Sequence, residues 1–299
     1  MTGTLAPRAR AYAWLSVLAG LVLVGCYAVL VRTPIGQRWD DRSLLGGQIA
    51  SLSARQQLTS YLHEIRISTI VLAIVVLLVI GLLRRRLATA LIAVLAVGGA
   101  VISAEILKRV LPRRDLAPEL NSYVDNGNIE TYPSGHATIA MSFALAVLIV
   151  SSPRARSYVV PFAMLWAVGV PMAALAAGWH RPSDLIGGMA LAMLFLAAAT
   201  AIITYRYAQI HNTPLTVRWL FVSGLMALVI AMAALLLWFT RGDTASVQVG
   251  GAIPAFVFGE IAIAITALAA VGLFAFLLRD LSFDQHTGSP DPRRRAHND

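Results

Sequence analysis

Three polar patches in an otherwise apolar chain contain residue types that can act on a phosphate group. They are "EILKRVLPRRDL" at residues 105–116, "YPSGHA" at residues 132–137 and "GWHRPSDLIGG" at residues 178–188. Together they supply cations, two histidines, a carboxylate and a helix start: Lys108, Arg109, Arg113, Arg114, Arg181, His136, His180, Asp184, Ser134 and Gly135. Cations and the backbone N–H groups of a helix N-terminus are the groups that bind phosphate oxygens. The inventory therefore indicates a site for phosphoryl transfer.

The two histidines and the carboxylate can divide the steps of such a reaction. One imidazole can attack phosphorus as the nucleophile, while the other donates a proton to the leaving oxygen. His180 and Asp184 are four residues apart, about one helical turn, so the carboxylate can fix the tautomer of a neighbouring ring and stabilise its cation. The sequence has no cysteine cluster and no histidine pair with metal-ligand spacing, so we predict a site with no metal and no cofactor.

Each of these residues also has a purely structural interpretation. Ser134 could simply cap a helix, and Pro182 and Asp184 suit the first turn of another helix. Arg113 and Arg114 could contact lipid headgroups only. The combination of all these residue types favours a phosphate site over the separate structural roles.

At these residues the sequence resembles the type 2 phosphatidic acid phosphatase superfamily, which consists of integral-membrane lipid phosphatases. That family has three signatures: a lysine followed at a distance by Arg-Pro; Pro-Ser-Gly-His; and Ser-Arg, five residues, His, three residues, Asp. The second signature is complete at residues 133–136. In the third signature, His180 and Asp184 match. In the first signature, Lys108 precedes Arg113 by five residues, where seven is the common spacing.

The resemblance covers about residues 67–204 and has two further departures. Arg114 stands where a proline would be, and Ala174 stands where the third signature has its arginine, six residues before His180. In the family that arginine grips the phosphate, and a charge-assisted bidentate contact of this kind is a strong one. Either Arg181 or Arg114 replaces it, or the enzyme is weak, altered in its reaction or inactive.

The resemblance implies a role for each polar residue of the site. His180 would be the nucleophile of a phosphohistidine intermediate, Asp184 would orient it, and His136 would be the general acid. The phosphate would be bound by the following residues: Lys108, Arg113, Arg114, Ser134, Gly135 and Arg181. The implied substrate is a lipid phosphomonoester or pyrophosphate, of the phosphatidate, phosphatidylglycerophosphate or polyprenyl pyrophosphate type. Two alternatives stay open: a phosphotransferase with a lipid or sugar acceptor, and a catalytically inactive lipid-binding membrane protein.

Membrane-spanning helices must position these residues. Hydrophobic residues make up 58% of the 299 residues and charged residues 13%, whereas soluble domains are about one-quarter charged. Apolar runs of about 20 residues are long enough to cross a bilayer. We predict an all-α, polytopic transmembrane bundle with about eight spans, at residues 12–31, 67–83, 88–107, 136–151, 158–178, 184–204, 219–239 and 255–278.

The predicted spans divide the chain into three parts. Residues 1–210 would form a six-span phosphatase-like core, residues 211–280 two additional transmembrane helices, and residues 281–299 a disordered cytoplasmic tail. The net charge of +9 does not indicate a nucleic-acid partner, because the arginines lie in short loops between spans. The positive-inside rule then puts both termini in the cytoplasm and the three polar patches on the extracytoplasmic side of a bacterial-type plasma membrane.

Three other features of the sequence stay outside the predicted site. Residues 43–65 could hold an amphipathic helix on the membrane surface, although an ordinary exposed helix fits as well. Residues 23–26, "LVGC", resemble a lipoprotein cleavage box, but the apolar run continues past Cys26 to spanning length, which favours a retained helix. Glu260 is an acid within the last predicted span, where it could extend to the interface.

Overall fold

The computed structural model describes residues 5–47, 52–65, 67–120, 123, 131–210, 217–241 and 250–283. The fold is all-α, as predicted. The helices are α1 (Leu5–Cys26), α2 (Pro34–Gly46), α3 (Leu52–His63), α4 (Ile67–Leu83), α5 (Leu87–Val110), α6 (Gly135–Val150), α7 (Arg156–Ala176), α8 (Pro182–Tyr207), α9 (Val217–Arg241) and α10 (Ala252–Leu278). A π-helical turn, Tyr27–Val31, continues α1 past Cys26, and a short 3₁₀ turn covers Pro118–Leu120. Two short strands, β1 (Gln209–Ile210) and β2 (Leu281–Ser282), pair antiparallel.

Five helices of the described chain are long and apolar enough to cross a membrane. They are α1 with its π-helical turn, α5, α7, α8 and α10. Three shorter apolar segments, Ile70–Leu83, Gly135–Val150 and Arg218–Ala233, coincide with the other predicted spans. The positions of the apolar helices thus agree with the sequence analysis, and the total of eight spans stays a prediction.

Helix α8 lies at the centre of the bundle and packs against α1, α5, α6 and α10. Two glycines in its first turns permit a very close approach of the chain before α6. A Cβ atom on Gly187 would lie 2.5 Å from Cε2 of Tyr132, and one on Gly188 would lie 2.5 Å from the carbonyl oxygen of Ser134. Since real Cβ atoms do not come so close, only glycine lets the Pro-Ser-Gly-His segment rest on α8 in this way.

Helix α2 has one exposed face, with Ile35 and Arg38, and one face buried in the protein. It begins at Thr33, whose side chain accepts a hydrogen bond from the Gly36 N–H at 3.0 Å, and it packs against α10. Its buried polar side chains include Gln37, Asp40, Asp41 and Ser43. Of the residues 43–65 that could hold a surface helix, the first ones end α2, and Leu52–His63 form the separate helix α3 beside α7; whether α3 lies on the membrane surface stays a prediction.

The C-terminal end of α10 is tied to the body of the protein by a buried arginine. Arg156, which starts α7, donates hydrogen bonds to the carbonyl oxygens of Leu148 at 3.0 Å and Leu278 at 2.6 Å, and also to that of Leu281. Phe283 is fully buried beneath it. Residues 281–283 thus belong to the folded body, which corrects the predicted start of the tail. Residues 284–299 lie outside the described residues, so the prediction of disorder there is not tested.

Candidate active site

The Pro-Ser-Gly-His segment starts α6 directly against the first turn of α8. Ser134 is the N-cap of α6, and its hydroxyl accepts a hydrogen bond from the Ala137 N–H at 3.4 Å. The Ser134 N–H donates to the carbonyl oxygen of Asp184 at 2.8 Å. Thr138 donates from its hydroxyl to the carbonyl oxygens of Ser134 at 2.8 Å and Gly188 at 3.2 Å. These bonds fix the N-terminus of α6 to the start of α8.

Lys108, in the last turn of α5, lies over this helix N-terminus. Its ammonium group is 3.2 Å from the place where a Cβ of Gly135 would be, and it pairs with Glu105 at 2.6 Å. Glycine at position 135 leaves the approach open. The ion pair of Lys108 with Glu105, whose Oε1 atom is also 3.2 Å from that place, therefore lies beside the helix start, where a cation and helix N–H groups can bind an anion.

The two predicted catalytic histidines meet beside this helix start. The ring centroids of His136 and His180 are 6.1 Å apart. Trp179 presents its ring to His136 with centroids 5.2 Å apart, and on its other side lies His63 of α3 at 4.8 Å. The two imidazoles are thus close enough to act on one substrate phosphate. Helix α3, through His63, packs against the tryptophan beside them.

Asp184 lies next to His180 but is already engaged by other donors. Its Oδ2 atom accepts a hydrogen bond from the Arg181 N–H at 3.1 Å and lies 3.8 Å from Nδ1 of His180, beyond hydrogen-bonding distance. Nδ1 of His180 is buried and has no hydrogen-bond partner among the described residues. A small rotation of the imidazole would bring it into hydrogen-bonding distance of the carboxylate, and such catalytic contacts are often long in unliganded sites.

Arg113 joins the site to α2 through a single nitrogen. Its Nη2 atom donates to Asp40 at 3.0 Å, to the Ser183 hydroxyl at 3.0 Å and to Asp184 at 3.1 Å. Burial lowers the pKa of Arg113, but the charges of Asp184 and Asp40 raise it further, so the net pKa lies above its usual value and the guanidinium stays charged. Its Nε and Nη1 atoms are buried without a partner among the described residues and can still donate.

The two arginines proposed as substitutes for the missing one differ in their surroundings. Arg181 is buried, and its Nε atom donates to Asp41 of α2 at 2.5 Å. Arg114 is exposed. Ala174 itself is fully buried, and its carbonyl oxygen accepts hydrogen bonds from the N–H groups of Trp179 at 3.0 Å and His180 at 3.4 Å. Ala174 therefore belongs to the buried hydrophobic core and supplies no cation to the site.

Sequence reasoning missed two features of this site. The first is the pair Asp40 and Asp41, which hold Arg113 and Arg181; two adjacent acids in a chain with only 15 acids were a signal that could have drawn attention. The second is Arg55 of α3. Its Nη2 atom lies 3.0 Å from the Cβ position of Gly178, in the turn that carries His180, and its Nε atom is buried without a partner among the described residues.

Metal ligation has no obvious place in this arrangement. Within the described ranges, no group of three or more histidine, cysteine, aspartate or glutamate side chains is arranged to hold a metal ion. The cations at the site are side chains of the protein. The absence of a metal from the reaction stays a prediction.

These features define a class of protein: an apolar helical bundle whose helix ends assemble a site suited to phosphoryl transfer. Residues 87–208 match the PAP2 superfamily, and this part of the chain is a PAP2 superfamily domain. The domain runs from α5 to α8 and contains all the site residues predicted from the sequence. The resemblance recognised in the three signatures is confirmed.

Relatives of known name match a shorter segment. Phosphatidylglycerophosphatase B of Escherichia coli strain K12 is 27% identical to this chain over 95 residues. The proteins of the same name from Escherichia coli O157:H7 and Shigella flexneri match equally well. The alignment covers 32% of this chain and 37% of the relative, so the chain spans little more than a third of the length of these relatives. No solved structure matches significantly.

Proposed function

We propose that this protein is an integral-membrane lipid phosphatase. The observation that carries the proposal is the meeting of Lys108, the α6 helix start and both histidines at one place. The PAP2 superfamily domain and the relatives named phosphatidylglycerophosphatase B support a lipid phosphomonoester or pyrophosphate as substrate. Phosphatidylglycerophosphate, phosphatidate and polyprenyl pyrophosphate are the candidates. The site would face the extracytoplasmic side of a bacterial-type plasma membrane.

The proposed reaction has two steps. A ring nitrogen of His180 attacks phosphorus, the bond from phosphorus to the leaving oxygen breaks, and His136 donates a proton to that oxygen. Water then attacks the phosphohistidine, His136 accepts a proton from the water, and phosphate leaves while His180 is restored. Asp184 holds the ring of His180 and stabilises its cation. Lys108 and the N–H groups at Gly135 stabilise the charge on the phosphoryl oxygens.

Further cations are needed around a phosphoryl group, and the site offers several. Arg113 can donate from the two nitrogens that have no partner among the described residues. The family's phosphate-binding arginine is absent at position 174. Arg181 and Arg114 are candidates for its role from the sequence, and Arg55 is a third candidate from the structure. We favour Arg55, because the carboxylate of Asp41 already neutralises Arg181 and because Arg114 is exposed.

The test is phosphate release by the purified protein from a panel of lipid phosphates and pyrophosphates. His180→Ala should abolish release on every substrate, while His286→Ala, a histidine of the polar tail, serves as the matched control. Rapid quench with labelled substrate should trap an acid-labile phosphohistidine in His136→Ala protein and none in His180→Ala protein. Release that is unaffected by His180→Ala would refute the proposal.

Two other outcomes would identify a different function. Transfer of the phosphoryl group to an added lipid or sugar hydroxyl in preference to water would identify a phosphotransferase. Binding of anionic lipid without any phosphate release would identify an inactive lipid-binding protein. The second outcome has support in the structure, because carboxylates of α2 partly neutralise both Arg113 and Arg181.

A further inference from the structure

A cavity of about 280 Å³ lies between α7, α9, α10 and α3. Three of these helices, α3, α9 and α10, lie outside the PAP2 superfamily domain. The lining of the cavity is almost wholly apolar and includes Leu58, Val168, Gly169, Ala173, Ile230 and Phe256. The volume is near the lower limit of roughly 300–1,000 Å³ for small-molecule pockets, so it suits part of one hydrocarbon chain rather than a whole lipid.

Glu260 of α10 is the ionisable residue that lines this cavity within the described part of the chain. It is only 2% exposed, and its Oε2 atom has no hydrogen-bond partner among the described residues. A polar group buried without a partner costs free energy, and ionisable residues at membrane depth commonly mark functional sites. The carboxyl group therefore needs a partner, which a ligand in the cavity could supply.

The cavity adjoins the turn that carries His180. Gly259, the neighbour of Glu260, packs so closely that its Cβ would lie 2.8 Å from Cγ of Pro182, which is two residues after His180. Ala176, the last residue of α7, lines the cavity directly before that turn. Leu58 lines it from α3, one helical turn after Arg55. The cavity thus lies beside the helix ends that flank the turn carrying His180.

We propose that this cavity binds a hydrocarbon chain of a glycerol-based lipid substrate, and that the carboxyl O–H of Glu260 donates a hydrogen bond to an ester oxygen between the phosphate and that chain. This proposal rests on the proposed phosphatase function and narrows its substrate class. A glycerolipid has such oxygens directly after its phosphate, whereas a polyprenyl pyrophosphate has only hydrocarbon there. Glu260 should therefore favour the glycerolipid over the isoprenoid.

The first experiment compares Glu260→Leu with Glu260→Gln in detergent micelles. On dioleoyl phosphatidate, Glu260→Leu should lower kcat/KM about tenfold, as expected for one lost hydrogen bond to a buried group, while Glu260→Gln should keep most of it. Both variants should hydrolyse farnesyl pyrophosphate and nitrophenyl phosphate at the wild-type rate. Equal effects of Glu260→Leu on phosphatidate and farnesyl pyrophosphate, or no effect on either, would overturn the proposal.

The second experiment fills the cavity. A Cβ on Gly169 meets nothing within 4 Å, so Gly169→Leu can extend into the space without a clash of its first atom. It should lower kcat/KM on dioleoyl phosphatidate by tenfold or more and leave nitrophenyl phosphate unchanged. Gly98→Leu on α5 is the matched control, since its Cβ also meets nothing within 4 Å and it lies outside the cavity. Equal effects of the two glycine variants on phosphatidate would refute the cavity as the chain site.

A binding measurement separates this proposal from the proposed function. A phosphatidate with a photoreactive group on its acyl chain should crosslink to α7 or α10 in His180→Ala protein, and Gly169→Leu should abolish that crosslink. If the wild-type protein hydrolyses phosphatidate but the crosslinks fall elsewhere, the cavity proposal fails alone. If the wild-type protein hydrolyses no lipid, the proposed function fails and this inference fails with it.

Discussion

At the scale of single residues, the roles proposed for the two histidines differ in their dependence on the leaving group. His136 lies in the first turn of α6, beside the N–H groups of the helix N-terminus, where a leaving oxygen can receive a proton. His136→Ala should lower turnover of phosphatidate, whose alkoxide leaves poorly, far more than that of nitrophenyl phosphate, which needs little protonation. Parallel kcat measurements on the two substrates check this, and an equal loss on both would remove the assignment of His136 as the acid.

The arginines of the site can be ranked by their neighbours. Arg55 has a buried nitrogen without a partner in the described structure and lies against the Gly178 turn, so we expect Arg55→Gln to lower kcat/KM about a hundredfold, the effect of losing one preorganised donor to a developing charge. It should also weaken competitive inhibition by inorganic phosphate, which a purely structural role would not do. Arg38→Gln, an exposed arginine paired with Glu119, is the control.

The inhibition by inorganic phosphate decides which of three arginines binds the phosphate group. Unchanged phosphate inhibition in Arg55→Gln, with weakened inhibition in Arg114→Gln, would give the role to Arg114. Arg181→Gln is harder to interpret, because it also breaks the buried pair with Asp41, and loss of one partner of such a pair costs about 3–5 kcal/mol of stability. A thermal unfolding curve must therefore accompany its kinetics.

At the scale of elements, the contact of α6 with α8 holds the site together. Gly188→Ala would put a Cβ atom 2.5 Å from the carbonyl oxygen of Ser134 and 3.1 Å from the Thr138 nitrogen, so α6 must shift. We expect a loss of about 1–3 kcal/mol of stability, the usual cost of overpacking, and at least tenfold lower activity because the phosphate site moves. Gly98→Ala, with open space around its Cβ, should be neutral or slightly stabilising. Thermal unfolding and phosphate release on both variants check this.

The helices differ in how well the sequence predicted them. Apart from the start of α1, which begins seven residues before the predicted span at residues 12–31, the apolar segments were placed within a few residues, because a long hydrophobic run in a chain of this composition has few other stable positions. The positions of residues 105–116, 132–137 and 178–188 at helix ends could also be predicted, since each patch follows or starts an apolar helix, while the catalytic roles of their residues stay predictions. The Pro-Ser-Gly-His segment is contiguous, so it can be recognised as a candidate phosphate site from the sequence alone.

The parts that could not be predicted depend on contacts between distant residues. Helix α2 carries Asp40 and Asp41, which look like surface residues in the sequence, yet both are buried against arginines more than 70 residues away. A buried charged residue whose partner is distant along the chain produces no periodic pattern in the sequence. Arg55 was missed for the same reason, because its place beside Gly178 follows from the packing of α3 on α7.

At the scale of the whole molecule, two ends of the bundle carry different groups. One end contains Lys108, His136 and His180. At the other end, Arg84 donates to the carbonyl oxygen of Val150 at 2.6 Å, and Arg8 pairs with Asp280 at 2.9 Å. The arginines that set the predicted orientation therefore lie near the end of α6 and of α10, away from the site.

This separation gives a topology that labelling can test. If the arginine-bearing end is cytoplasmic, as the positive-inside rule prefers, the histidines face the opposite side of the membrane. In a Cys26→Ala background, Tyr123→Cys, at an exposed position between α5 and α6, should react with a membrane-impermeant thiol reagent added to intact cells. Arg154→Cys, between α6 and α7, should react only after the membrane is permeabilised. The reverse pattern would place the site in the cytoplasm, and a lipid substrate would then have to be drawn from the inner leaflet.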